Sequence, residues 1–108
     1  MSAPIGFCVL YRFRVRPGHE QAFREAWAAV TRAIRAGRGG LGSRLHHVEG
    51  DLWAAYAQWP DRATWQASMD AGAADPAASA AMGEALVESL EPLLLTPTDD
   101  LLVPAAEA

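Results

Sequence analysis

The eight residues from Leu52 to Trp59 are apolar on both of their alternating sets: Trp53, Ala55, Ala57 and Trp59 on one, Ala54 and Tyr56 beside Gln58 on the other. A strand turns successive side chains to opposite faces of its sheet, so a sheet with one wet face shows apolar and polar residues in turn. This segment therefore demands cover on both sides.

The remaining periodicities say what can supply that cover. Phe7, Val9, Tyr11, Phe13 and Val15 alternate with Cys8, Leu10, Arg12 and Arg14, a strand with one wholly apolar face and a second that begins apolar and ends cationic. Pro17 and Gly18 break it. From His19 onward Phe23, Trp27, Val30 and Ile34 form the stripe of an amphipathic helix, with Glu20 and Arg24 as an i, i+4 pair outside it. Gly37, Gly39, Gly40 and Gly42 close that helix in a loop. Ser43 to Glu49 and Leu52 to Trp59 read as a hairpin turning at Gly50 and Asp51. Pro60 stops the second strand, and Asp61 caps a helix through Trp65 and Met69 that ends at Gly72. Asp75 and Pro76 open a longer helix whose stripe is Met82, Leu86, Leu90 and Leu93, and Thr98 to Val103 supply a last short strand.

That order is βαββαβ, the split βαβ arrangement of an α+β, ferredoxin-like domain over residues 1–108, an antiparallel sheet with its helices on one face. The helices suffice for one cover only. A second copy of the sheet is the economical cover for the other face, which predicts a homodimer closed into a dimeric α+β barrel.

Charge and cysteine usage narrow the partners. The net charge is −4, which argues against a general nucleic-acid or membrane-surface binder. All nine basic residues are Arg, between Arg12 and Arg62, so residues 1–62 carry net +4 and residues 63–108 carry net −8. One part can attract the other, within a chain or between copies. The lone Cys8 has no internal partner and reads as a small buried hydrophobe of a reducing cytoplasm. No export signal or membrane span is recognisable, since Arg12 interrupts the first apolar run. Metal binding is not expected: His46 and His47 are neighbours on a strand and point to opposite faces, and His19 lies at a distant turn.

The run from Tyr11 through Pro17, Gly18 and His19 to Trp27, then the glycine-rich loop, then Tyr56 to Trp65, resembles the antibiotic biosynthesis monooxygenase family over about residues 7–103. The resemblance implies a dimeric α+β barrel with a pocket between helices and sheet in each subunit. It further implies oxidation of small electron-rich aromatic or quinol-like molecules by O2, often without flavin, heme or metal, so no cofactor is expected. A deprotonated phenol or quinol can itself give an electron to oxygen; the protein then supplies a dry pocket, a base and donors for the oxyanion.

Tyr11, Phe23, Trp27, Trp53 and Trp65 are the candidate substrate contacts, with core packing as the plainer reading of each. Trp65 is placed at the pocket mouth. His47 shares a strand face with Leu45, toward the helices, where burial would keep it neutral; it is the candidate base, the alternative being an exposed hairpin histidine with no catalytic part. Arg12 and Arg14 either bind an anionic substrate or pair with acids of a partner subunit. In the heme-degrading branch of this fold an Asn, a Trp and a heme-ligating His stand where this chain has Tyr11, Ser68 and residues 77–81, and no His follows His47, so heme breakdown is not expected. The readings that remain beside a monooxygenase are a non-catalytic ligand-binding or stress-related dimer and a polyketide-cyclase-like protein.

Overall fold

The structure, a computed structural model, describes residues 6–107. Strand β1 (Phe7–Val15) leads into helix α1 (Glu20–Gly37), followed by the hairpin β2 (Ser43–Glu49) and β3 (Leu52–Trp59), helices α2 (Arg62–Asp70) and α3 (Pro76–Glu84), and two short strands, β4 (Leu86–Ser89) and β5 (Leu93–Leu95). The sheet runs β2-β3-β1-β4, with β5 also on β1, and every pairing is antiparallel. The helices cover one face.

Register explains why. Phe7, Val9, Tyr11, Phe13 and Val15 stand opposite Trp59, Ala57, Ala55, Trp53 and the start of β4, so the wholly apolar set of β1 and one apolar set of β3 form a single surface. On that surface Phe23 of α1 is fully buried, with its ring 5.4 Å from Phe13 and 5.9 Å from Trp53. Two clusters of core residues result. One holds Phe7, Val9, Ala57, Trp59 and Trp65, the other Phe13, Val15, Phe23, Ala55 and Ala85, and Tyr11 packs against both.

The helix starts follow the expected capping. Asp61 accepts the Thr64 N–H at 2.7 Å, which holds its carboxyl below the ordinary value, and Asp75 accepts the Ala78 N–H at 3.0 Å with Pro76 at the first helical position. Glu20 accepts the Gly18 N–H at 3.0 Å rather than pairing with Arg24.

The end of the chain departs from expectation. The third helix stops at Glu84, and Leu86, Leu90 and Leu93 are not its stripe. Instead Leu86 lies opposite Val15, the Leu90 N–H is given to the Arg12 carbonyl at 3.0 Å, and Leu93 lies opposite Leu10. Leucines four and three apart satisfy a helical repeat, but the unpaired edge of β1 offers backbone partners that local spacing cannot register. Pro92, which has no N–H to donate, divides the two strands. Residues 98–103 form no strand, and Leu101 and Leu102 are 94% and 82% exposed.

The other face of the sheet carries Cys8 and Ala54, buried under neighbouring side chains, and Leu10 and Tyr56, half-buried. The Cys8 Sγ and Tyr56 Oη are 3.0 Å apart, and the Arg44 guanidinium lies over the Tyr56 ring. Arg14 pairs within its own chain, with Asp51 at 2.7 Å and Glu88 at 3.5 Å, and Arg12 donates to the Glu91 carbonyl at 3.1 Å, so their partners need not come from a second copy.

Phe23 joins sheet and helix at the point of deepest burial. The variant Phe23→Ala is expected to lose about 3–5 kcal/mol, read as a lower urea midpoint with an unchanged slope.

Candidate active site

Between the two core clusters the helices do not reach the sheet. Along the helix-facing side of β3 the residues run Trp53, Ala55, Ala57, Trp59, large at both ends and small in the middle. The Trp side chains at the two ends hold the helical layer away, and two methyl groups cannot fill the space between. The result is a cavity of about 460 Å³ with Ala55 and Ala57 in its floor. Trp27, Val30 and Ile34 of α1 form one wall, and so remain half-buried although they continue the stripe begun by Phe23. Ser68 and Met69 of α2, the linker Gly72 to Ala74, and Met82 of α3 close the opposite side.

Two local features hold those walls. Gly40 passes so close to Ile34 that a Cβ there would meet its Cγ2 at 2.6 Å, so only glycine lets the loop after α1 lie against the cavity. Arg38, just past the end of α1, donates to the carbonyls of Ser68 at 3.0 Å, Gly72 at 2.9 Å and Ala73 at 3.4 Å. One guanidinium thereby ties the end of α2 and its linker to α1.

Among the described residues that line it, Tyr11 is the sole titratable group. Its Oη accepts the Trp65 Nε1–H at 2.9 Å, which leaves its own proton free to be donated elsewhere. Burial pushes the Tyr11 pKa above its ordinary 10.0, and the Trp65 hydrogen bond opposes this more weakly. At neutral pH Tyr11 is a hydroxyl, a donor and not a base. Two further polar atoms in side chains of the wall, Ser43 Oγ and Trp59 Nε1, are buried with no hydrogen-bond partner.

The structure divides the expected site residues. Tyr11 and Trp27 line the cavity. Phe23 lies beneath the aromatic cluster and reaches no cavity surface. Trp65 is not at a mouth: it is 7% exposed, packed 5.9 Å from Phe7, and acts on the cavity only through Tyr11. Trp53 borders a separate open groove outside α1. His47 is on the helix-facing side, as its pairing with Trp53 requires, but it is exposed and outside the cavity wall, contrary to the expected burial. It stands at the hairpin end of the sheet, beyond the reach of α1, where its ring lies 4.8 Å from Trp53 and its Nε2 is 2.9 Å from the Gly50 carbonyl. A carbonyl only accepts, so that bond uses Nε2–H. Missing from the sequence reading were the cavity floor and Arg38. The small-between-large order of Trp53 to Trp59 was the available signal for the floor; nothing local marks Arg38.

Helices on one face of an antiparallel sheet, with an apolar chamber between the layers, define a ferredoxin-like α+β protein. Residues 6–92 match the description of the antibiotic biosynthesis monooxygenase family, and the chain belongs to that family. Among solved structures, SnoaB, a cofactor-independent oxygenase from Streptomyces nogalater, is 21% identical with a TM-score of 0.70, over 88% of this chain and 95% of its own. A mutant of SnoaB superposes with a TM-score of 0.75 at 19% identity, over 91% and 98% of the two chains. Rv0793 from Mycobacterium tuberculosis is 22% identical with a TM-score of 0.69, over 89% of this chain and 98% of its own. At such identities the likeness is one of fold. No curated protein matches. Among the described residues no helix is long and apolar enough to cross a membrane, and no three His, Cys, Asp or Glu side chains converge to hold a metal.

Removing the acceptor of the buried indole isolates its contribution. Tyr11→Phe is expected to cost roughly 1–3 kcal/mol in chemical denaturation because Trp65 Nε1–H is left unpaired. The raised pKa sets a second expectation: the stabilisation tied to it is complete below pH 10.0 and lost as pH rises through the higher folded value. Between those values the wild type should lose stability more steeply than Tyr11→Phe in an alkaline melting series.

Proposed function

We propose that this protein is a cofactor-independent monooxygenase that oxidises a small phenolic or quinol-like aromatic with O2 inside the cavity. The observation that carries the reading is that, among the described residues, mainly apolar walls are paired with one ionisable lining group, the half-buried Tyr11 hydroxyl. Such a chamber suits an aromatic ring, while the Tyr11 hydroxyl donates to the oxyanion of the ionised substrate. Trp65 fixes the direction of that hydroxyl. The electron-rich anion gives one electron to O2, and the resulting radical pair joins at a ring carbon that bears two hydrogens in the keto form. Loss of water from this hydroperoxide leaves a carbonyl. Substrate and O2 thus become a product with one more oxygen and two fewer hydrogens, plus one water.

Among the described residues no carboxylate or imidazole lines the cavity, and His47 stays outside it, so in this reading the substrate loses its proton to water and must be acidic in its own right. The supporting experiment follows oxygen uptake with a panel of hydroquinones and anthrone-like phenols, using isotopically heavy O2. One labelled oxygen should enter the product, and the pH at half-maximal rate should move with the pKa of the substrate along the series. A limb fixed at one pH for every substrate would instead identify a base in the protein. Tyr11→Phe should lower kcat by about 100-fold, His47→Ala should leave it unchanged, and Ala57→Leu should abolish uptake by filling the floor.

We also propose that the chain acts as a homodimer, joined through the open face of the sheet. Support comes from half-buried Leu10 and Tyr56 there and from the exposed leucines of β5, which are apolar surfaces left uncovered in one copy. Sedimentation at micromolar concentration should yield twice the mass of 11.6 kDa, and Tyr56→Asp should yield the single chain.

A further inference from the structure

We propose that the open groove outside α1 holds a carboxylate of the substrate, so that the preferred substrate is an aromatic acid whose ring lies in the cavity. This rests on the oxidation proposed for that cavity and adds to it the chemical class of the molecule. Arg24 and Arg32 both line the groove, two turns apart on α1 with Ala28 between them, so two guanidinium groups flank an opening that a small side chain leaves free. Neither has an ion-pair or hydrogen-bond partner among the described residues, a state shared by Arg35 and Arg62 away from the groove, whereas Arg12, Arg14, Arg16 and Arg38 are all engaged. The one acid of the groove, Glu25, accepts from Gln21 Nε2 at 3.0 Å. Arg44 contributes to the lining, yet its guanidinium stacks on Tyr56 at the opposite face of the sheet. The groove is therefore cationic, and its partner is an anion.

Its position selects the rest of the ligand. Trp27 and Ser43 border both groove and cavity, so the two spaces adjoin along α1 and the start of β2. The Ser43 Oγ at that junction is one of the buried polar atoms without a partner. A guanidinium binds a planar carboxylate through two parallel N–H donors, and the Trp27 and Trp53 rings beside it suit an aromatic stem.

Binding is measured under nitrogen, where no oxidation follows, by quenching of tryptophan fluorescence with a hydroquinone acetic acid and its methyl ester. The acid should bind about fivefold more tightly than the ester, as expected for exposed ion pairs, and the preference should fade in molar salt. The double variant Arg24→Gln with Arg32→Gln, both on the exposed flank of the helix, should equalise the two while leaving the ester unchanged. Circular dichroism confirms that it folds. Equal affinity in the wild type, a preference that survives in the double variant, or binding of neither probe would overturn the proposal. Oxygen uptake separates the two readings: a preference without uptake removes the oxidation alone, and uptake without a preference removes the groove alone.

Discussion

Two alanines between two tryptophans on β3 set the spacing on which the rest depends. A helix resting on large side chains at both ends of a strand cannot descend to small ones in the middle, because close packing transmits the height of the highest contact. Ala55 and Ala57 therefore create a space that the residues of α1 border without filling. The core divides into two clusters for the same reason, and Tyr11, packed against both, is the side chain positioned to place a hydroxyl between them.

Much of this was legible from pattern alone. The hairpin strands, the first helix and the Asp caps at Asp61 and Asp75 fall where alternation, stripe and capping chemistry place them. Each is decided by residues near in sequence. The strands after Glu84 are decided by the free edge of β1, more than seventy residues away, and leucines that suit either repeat carry no sign of it. The site was legible in its aromatics and not in its depth. Period-based reading treats alanine as merely apolar, so a floor of alanines looks like any other core face. His47 and Trp65 exchanged places in depth for a related reason. Alternation gives the face a side chain occupies, but its distance from the sheet end decides whether anything covers it, and the bond to Tyr11 draws Trp65 inward.

The uneven charge along the chain is resolved in an unexpected way. A basic first part and an acidic second part invite ion pairs between them, and Arg14 with Glu88 is such a pair. Most of the other engaged arginines instead serve backbone carbonyls: Arg12 that of Glu91, Arg16 that of Glu84, and Arg38 those of Ser68, Gly72 and Ala73. Guanidinium groups here act as fasteners at points where helices and strands end and carbonyls lack partners. Bonds of this kind are set by fork geometry, which lysine does not reproduce.

The interruption at Pro92 has its own consequence for assembly. An outer strand of even length and unbroken pairing is a template on which foreign chains can add, ladder upon ladder, toward fibrils. Here that border is split into fragments of four and three residues, with a proline and the carboxylates of Glu88 and Glu91 along it. Ribbon-like growth therefore finds no continuous rail along this border, and the one unbroken edge of the sheet is the opposite one, β2, paired on a single side with β3.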